Sequence, residues 1–193
     1  MKKILLITTR SIYKKSGEQR LIRNRAKALK ELYGVDTNFI AFISEKKVDN
    51  EPVLLKEFDN QIFCFKNLFD LFLKYFVFIK NIVISLRSNE YDCIILSGVF
   101  LTNIAKKIKK NNKNSFIVAD IHGTIKELVE FNATLKRRLV YLMLSNYENK
   151  MLRYVDEIFV VTSELKHLYL KKAKRKIPAH VIPCALENKD YTY

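Results

Sequence analysis

The run Ser115-Phe116-Ile117-Val118-Ala119-Asp120-Ile121-His122-Gly123-Thr124 decides how the rest of the chain is read. Phe116 to Ala119 are apolar without a polar break, as in a strand buried on both faces. Asp120, His122 and Gly123 then close the run, and a helix-like pattern follows. In an open α/β sheet, ligands bind at the carboxyl ends of the strands. The run therefore predicts a central parallel strand that aims the imidazole of His122 into an open cleft. Asp120, two residues earlier, would share its face. Histidine is the natural proton mover near neutral pH, and its ring can hydrogen-bond a hydroxyl. The plain alternative is a histidine that hydrogen-bonds a neighbouring loop.

Outward from that strand, strand-like and helix-like stretches alternate. Ile4 to Thr9 and Tyr91 to Ser97 are further apolar runs, the second followed by Gly98. Asp36 to Ile43, Gln61 to Phe65, Glu157 to Thr162 and Ala179 to Ile182 complete the strand candidates, with Pro183 ending the last. Glu18 to Tyr33 carries Ile22, Ala26, Leu29 and Tyr33 at helical spacing, and Gly34 follows as a C-terminal cap. Leu101, Ile104, Ala105 and Ile108 form one helical stripe, with Lys106, Lys107, Lys109 and Lys110 opposite. Thr134 to Tyr154 predicts a long helix with Leu135, Leu139, Leu142, Met143, Tyr147 and Met151 inward. Ser163 reads as the N-cap of a last helix, with Glu164 in its first turn. Hairpin signals such as Asn-Gly are nearly absent, so βαβ units and a parallel sheet are expected.

Charge is the outlying bulk property. The 35 Lys and Arg against 20 Asp and Glu give a formal +15 over 193 residues. Such a balance favours anionic partners: nucleic acid, acidic lipid or phosphate-bearing substrates. Basic motifs interleaved with aromatics are lacking, so no nucleic-acid partner is expected. The three cysteines (Cys64, Cys93 and Cys184) have no paired spacing, which predicts reduced thiols and a cytoplasmic setting. Met1 to Ile7 resembles a signal peptide's start, but Thr8-Thr9-Arg10 breaks it and no cleavage site follows, so it reads as a strand.

The first loop is the best phosphate candidate. Lys14, Lys15, Ser16 and Gly17 join a strand to a helix whose free N–H groups attract anions. A solvated turn accounts for it equally well, since neither a G-x-G-x-x-G nor a Walker sequence is present. Gly98 and Gly123 stand at strand ends on the same expected edge. Glu127 and Glu130, one turn apart, read more simply as solvated helix positions, and His167 and His180 as structural or exposed. No clustered Cys/His spacing or HExxH is present, so no metal is expected. Asn67 to Arg87 is apolar on more than one face, with Lys74 and Lys80 interrupting it. It reads as a buried crossover helix, or else as a helix lying on a membrane surface.

In order, the quoted pieces resemble a known family. Arg23-Asn24-Arg25-Ala26-Lys27-Ala28-Leu29 precedes Tyr33-Gly34-Val35. Tyr91-Asp92-Cys93-Ile94-Ile95, Asp120-Ile121-His122-Gly123, Asp156-Glu157-Ile158-Phe159-Val160-Val161-Thr162-Ser163 and Val181-Ile182-Pro183-Cys184-Ala185 follow. The series resembles the N-terminal domain of family 4 retaining glycosyltransferases, which have the GT-B fold. Ser16 stands where the family usually has the first of two glycines, and Pro183-Cys184-Ala185 where it usually has Pro-Asn-Gly. The resemblance implies one Rossmann-like α/β domain over 1–193, its mostly parallel sheet flanked by helices on both faces. It implies an acceptor-binding half whose donor-binding domain, absent from this chain, acts in cis or in trans. It also implies that His122 contacts the transferred sugar, and that Ser16 and Gly17 approach donor phosphates or acceptor. A nucleotide-sugar is the implied co-substrate, with no cofactor. The implied acceptor is a glycan or a lipid-linked molecule at the cytoplasmic face of a membrane. The alternative outside this class is a non-enzymatic basic module that binds an anionic partner.

Overall fold

A computed structural model describes residues 3–8, 17–44, 60–65, 68–88, 91–98, 101–111, 113–124, 142, 145–146, 148–150 and 152–183. Their order is β1 (Lys3–Thr8), α1 (Gly17–Tyr33), β2 (Asp36–Ser44), β3 (Asn60–Phe65), α2 (Leu68–Ser88), β4 (Cys93–Ser97), α3 (Thr102–Asn111) and β5 (Phe116–Ile121). Helical residues at 148–150 lie between β5 and β6 (Glu157–Val160); α4 (Ser163–Ala173) and β7 (Ala179–Val181) follow. The seven strands form one sheet in the order β3-β2-β1-β4-β5-β6-β7, every pairing parallel. The order reverses between β1 and β4, the switch point of a doubly wound sheet.

Alternation along the strands divides the core into two layers. Leu5, Ile7, Ile40, Ile94, Leu96, Ile117, Ala119 and Ile121 point to one face and pack with Phe78, Ile79, Ile82 and Leu86 of α2 and with Ile104, Ala105 and Ile108 of α3. Leu6, Phe39, Ala41 and Val118 are buried on the other face, the side of Ile22 and Ala26 of α1. Helices therefore cover both faces. From Lys3 on, the apolar start of the chain forms β1, in the middle of the sheet. It is pinned there by the Lys3 N–H on Asp92 Oδ2 (2.8 Å) and the Asp92 N–H on the Lys3 carbonyl (2.9 Å).

Element ends follow local chemistry. Gly34, at φ 61°, stops α1, with its N–H on the Lys30 carbonyl (3.1 Å). The cap of α4 is Thr162, not Ser163: Thr162 has the extended backbone (φ −138°, ψ 160°), and its side chain accepts from the Leu165 N–H (3.3 Å). Ser163 already lies inside the helix. Leu142 faces solvent rather than the core. Further along the chain, Glu148 and Leu152 are buried. Tyr33, in the last turn of α1, is also exposed.

Candidate functional site

Strand register places one row of residues across the carboxyl edge. Thr8 of β1 pairs with Ser97 of β4, which pairs with Asp120 of β5. Paired residues of adjacent strands share a face, so all three point to the α1 side. All three are buried, and the Ser97 hydroxyl has no hydrogen-bond partner among the described residues. A row of polar side chains at a core edge costs free energy unless partners or a ligand satisfy it.

Asp120 is the centre of this row. It is 2% exposed, and both oxygens are engaged: Oδ1 accepts from Arg25 Nη1 (2.9 Å), and Oδ2 is 2.8 Å from His122 Nε2. Burial pushes its carboxyl up, but the hydrogen bond and charge of His122, and then Arg25, outweigh burial and hold it below the ordinary carboxylate range. An ionised carboxylate only accepts hydrogen bonds, so His122 donates through Nε2 and keeps Nδ1 for another partner. Arg25 comes from α1, 95 residues away in sequence, and its Nη2 also reaches the Ile182 carbonyl just past β7 (3.5 Å). Its buried Nε has no partner among the described residues.

His122 departs from the sequence expectation in one respect. It follows a central parallel strand as expected, but its side chain is 4% exposed, drawn onto Asp120 rather than standing open in a cleft. The reason is electrostatic: a buried carboxylate needs donors, and the imidazole two residues along is the nearest. Gly98, at φ 125°, makes the turn at the end of β4 that a side chain would strain. The Gly123 carbonyl accepts from the Tyr169 hydroxyl (3.3 Å). Gly17 begins α1; Lys14, Lys15 and Ser16, like Glu127 and Glu130, lie outside the described residues.

A second network braces the loop after β5. Glu148, 1% exposed, accepts from the Tyr169 hydroxyl and from Lys172 Nζ (2.6 Å). Arg175, two residues past α4, donates to the Leu152 carbonyl (3.0 Å) and to that of Val155. Asp156 accepts from Lys109 Nζ (2.6 Å) and from the Ile117 N–H (2.8 Å), fixing the start of β5. His180 is exposed, 3.4 Å from Glu157. Burial, with Glu157, Asp156 and Asp92 nearby, pushes the Cys93 thiol up to about 12. Among the described residues, no group of three or more His, Cys, Asp or Glu could hold a metal ion.

The signal for Arg25 in the sequence is slight: a lone cation on a helix face next to Ala26, with nothing local to mark its partner. Sequence reasoning singled out Asp120 and His122, which the structure brings into contact, but not Arg25 or Ser97, which stand beside them.

The doubly wound sheet with helices on both faces resembles one half of GT-B glycosyltransferases in fold. Among solved structures, the chain is similar to sucrose-phosphate synthase from Thermosynechococcus elongatus: TM-score 0.72, 15% identity, covering 98% of this chain and 49% of that one. It is also similar to the lipopolysaccharide outer core galactosyltransferase WaaB in its apo form: TM-score 0.66, 16% identity, 95% and 45% covered. A third is UGT2 of Phytolacca americana, complexed with UDP-2fluoro-glucose and pterostilbene: TM-score 0.60, 11% identity, 98% and 55% covered. The chain thus spans about half the length of these proteins. No family model and no curated protein matches its sequence.

Proposed function

We propose that this chain is the acceptor-binding half of a retaining glycosyltransferase, transferring a sugar from a nucleotide-sugar to a glycan or lipid-linked acceptor. The observation that carries the reading is the Arg25–Asp120–His122 chain of contacts at the carboxyl end of a central parallel strand. The fold likeness to glycosyltransferases supports it. A donor-binding half completes the site in cis or in trans, and the enzyme works in the cytoplasm, peripheral to the inner face of the membrane.

In this reading His122 and Arg25 keep Asp120 ionised, and Asp120 fixes the His122 tautomer, with Nδ1 as the nitrogen that meets a sugar hydroxyl. Lys14, Lys15, Ser16 and the start of α1 at Gly17 approach the donor phosphates, where cations and helix N–H groups stabilise departing diphosphate charge. Gly98 and Gly123 let substrate come close to the backbone. No metal or resident cofactor enters.

The test supplies the chain with a donor-binding half and measures transfer from nucleotide-sugars. His122→Ala is expected to lower turnover by about 10²-fold, the usual weight of one positioned proton-handling group. Unchanged turnover in that variant would remove His122 from the chemistry.

A further inference from the structure

The turn that follows His122 is tied to the body of the fold by a phenol. Tyr169 of α4 is fully buried. Its hydroxyl meets two acceptors, the Gly123 carbonyl (3.3 Å) and the Glu148 carboxylate. These lie 46 and 21 residues away in sequence, so three segments of the chain converge on one oxygen. Lys172, on the same helix, grips the other Glu148 oxygen (2.6 Å), and its Nζ lies 4.8 Å from the centre of the Tyr169 ring. A hydroxyl has one proton to donate, whereas a carboxylate and a carbonyl only accept. The two acceptors therefore compete for that proton, and the carboxylate is the stronger of them. Gly123 has no side chain to anchor its turn, so α4 holds the turn by the backbone.

We propose that Tyr169 is a positioning residue for His122. Through the Gly123 carbonyl it holds the turn after β5 so that the imidazole stays on Asp120, and Glu148 sets how firmly by competing for the phenol proton. The His122 ring, 4% exposed, meets Asp120 Oδ2 at 2.8 Å, and Gly123 is its neighbour in the chain. A hydrogen bond fixes a ring only where the backbone carrying the ring is also fixed. Asp120 supplies the first restraint from within β5, and Tyr169 supplies the second from α4. The consequence for turnover rests on the sugar-transfer reading; the restraint on the turn does not.

The experiment is nuclear magnetic resonance of the whole chain. Gly123-Thr124 is the only Gly-Thr pair in the sequence, so carbon-13 in glycine carbonyls and nitrogen-15 in threonine pick out one peptide group. Nitrogen-15 histidine reports the His122 ring in parallel. Tyr169→Phe removes the hydroxyl alone. It is expected to shift the Gly123 carbonyl signal upfield, as a lost hydrogen bond does, and to move the His122 ring signals toward those of the exposed His167. Glu148→Gln should shift the carbonyl the other way. The amide oxygen still accepts from Lys172, its N–H donates to the phenol oxygen, and the phenol proton is left to Gly123. Leu168→Ala, exposed on the same helix, should move neither signal. A His122 ring unmoved in Tyr169→Phe overturns the proposal, as does a carbonyl shift in Glu148→Gln that is absent or of the same sign. Circular dichroism checks folding, and where Tyr169→Phe does not fold the sign in Glu148→Gln decides. With a donor-binding half supplied, Tyr169→Phe should lower kcat about tenfold and leave KM nearly unchanged. A wild-type chain that transfers no sugar defeats the transfer reading and leaves the two signals to judge Tyr169. Full kcat in Tyr169→Phe, despite moved signals, overturns its positioning role.

Discussion

Asp120 concentrates the energetics of the site in one carboxylate. Its folded-state pKa is depressed, so it stabilises the fold at any pH above the ordinary carboxylate value of about 4, and that contribution is lost as pH falls through the lower folded value. Asp120→Asn should therefore be less stable at neutral pH and should lack part of the acid limb. Urea unfolding of both proteins between neutral pH and pH 3 reads this directly, and parallel limbs would contradict it. Arg25→Met leaves the same carboxylate buried with one donor fewer. The expected loss is about 3 kcal/mol by urea unfolding, the weight of breaking a buried ion pair. Lysine at this position should recover little, because a single ammonium cannot serve both Asp120 and the Ile182 carbonyl as the guanidinium fork does. The Cys93 thiol, held protonated by burial and by acidic neighbours, should resist a thiol reagent at neutral pH until the chain unfolds.

At the scale of elements, stability rests on ends as much as on stripes. Gly34→Ala meets no steric obstacle, since nothing lies within 4 Å of an added Cβ. Its expected cost of about 1 kcal/mol, measured by urea unfolding, is that of the positive φ alone. The elements themselves were largely legible in the sequence. The apolar run Phe116–Ala119 reads as a buried strand between two helical layers, and it is buried from Ile117 on, Phe116 at its start being 40% exposed; the Leu101–Ile108 spacing reads as a one-sided helix. Phase and caps were harder to read. Ser163 and Thr162 are equally good cap residues by type, and only backbone angles separate them. Leu142 matches a helical stripe on paper but is exposed, whereas Glu148, which looks like surface in the sequence, is buried where Tyr169 and Lys172 are brought to it.

For the whole molecule, the formal +15 is the dominant long-range property. Like charges on a compact body repel, so added salt should raise the melting temperature by screening them. A fall in melting temperature over moderate sodium chloride would show that specific ion pairs, such as Lys109–Asp156 and Lys172–Glu148, outweigh that repulsion. The candidate site was partly legible at this scale too. A strand ending in Asp120 and His122 is a local signal, whereas its closure by Arg25 is not.

The sequence by itself determined the alternation of buried strands with one-sided helices, and hence a parallel sheet with helices on both faces. That information is local, carried by the side-chain periods of 2 and 3.6 residues. The tertiary structure alone decided that Arg25 meets Asp120, that Ser97 joins Thr8 in one buried row, and that the His122 ring lies folded onto its neighbour. Those contacts join residues up to 95 positions apart, brought together only by the strand order and the packing of α1 on the sheet.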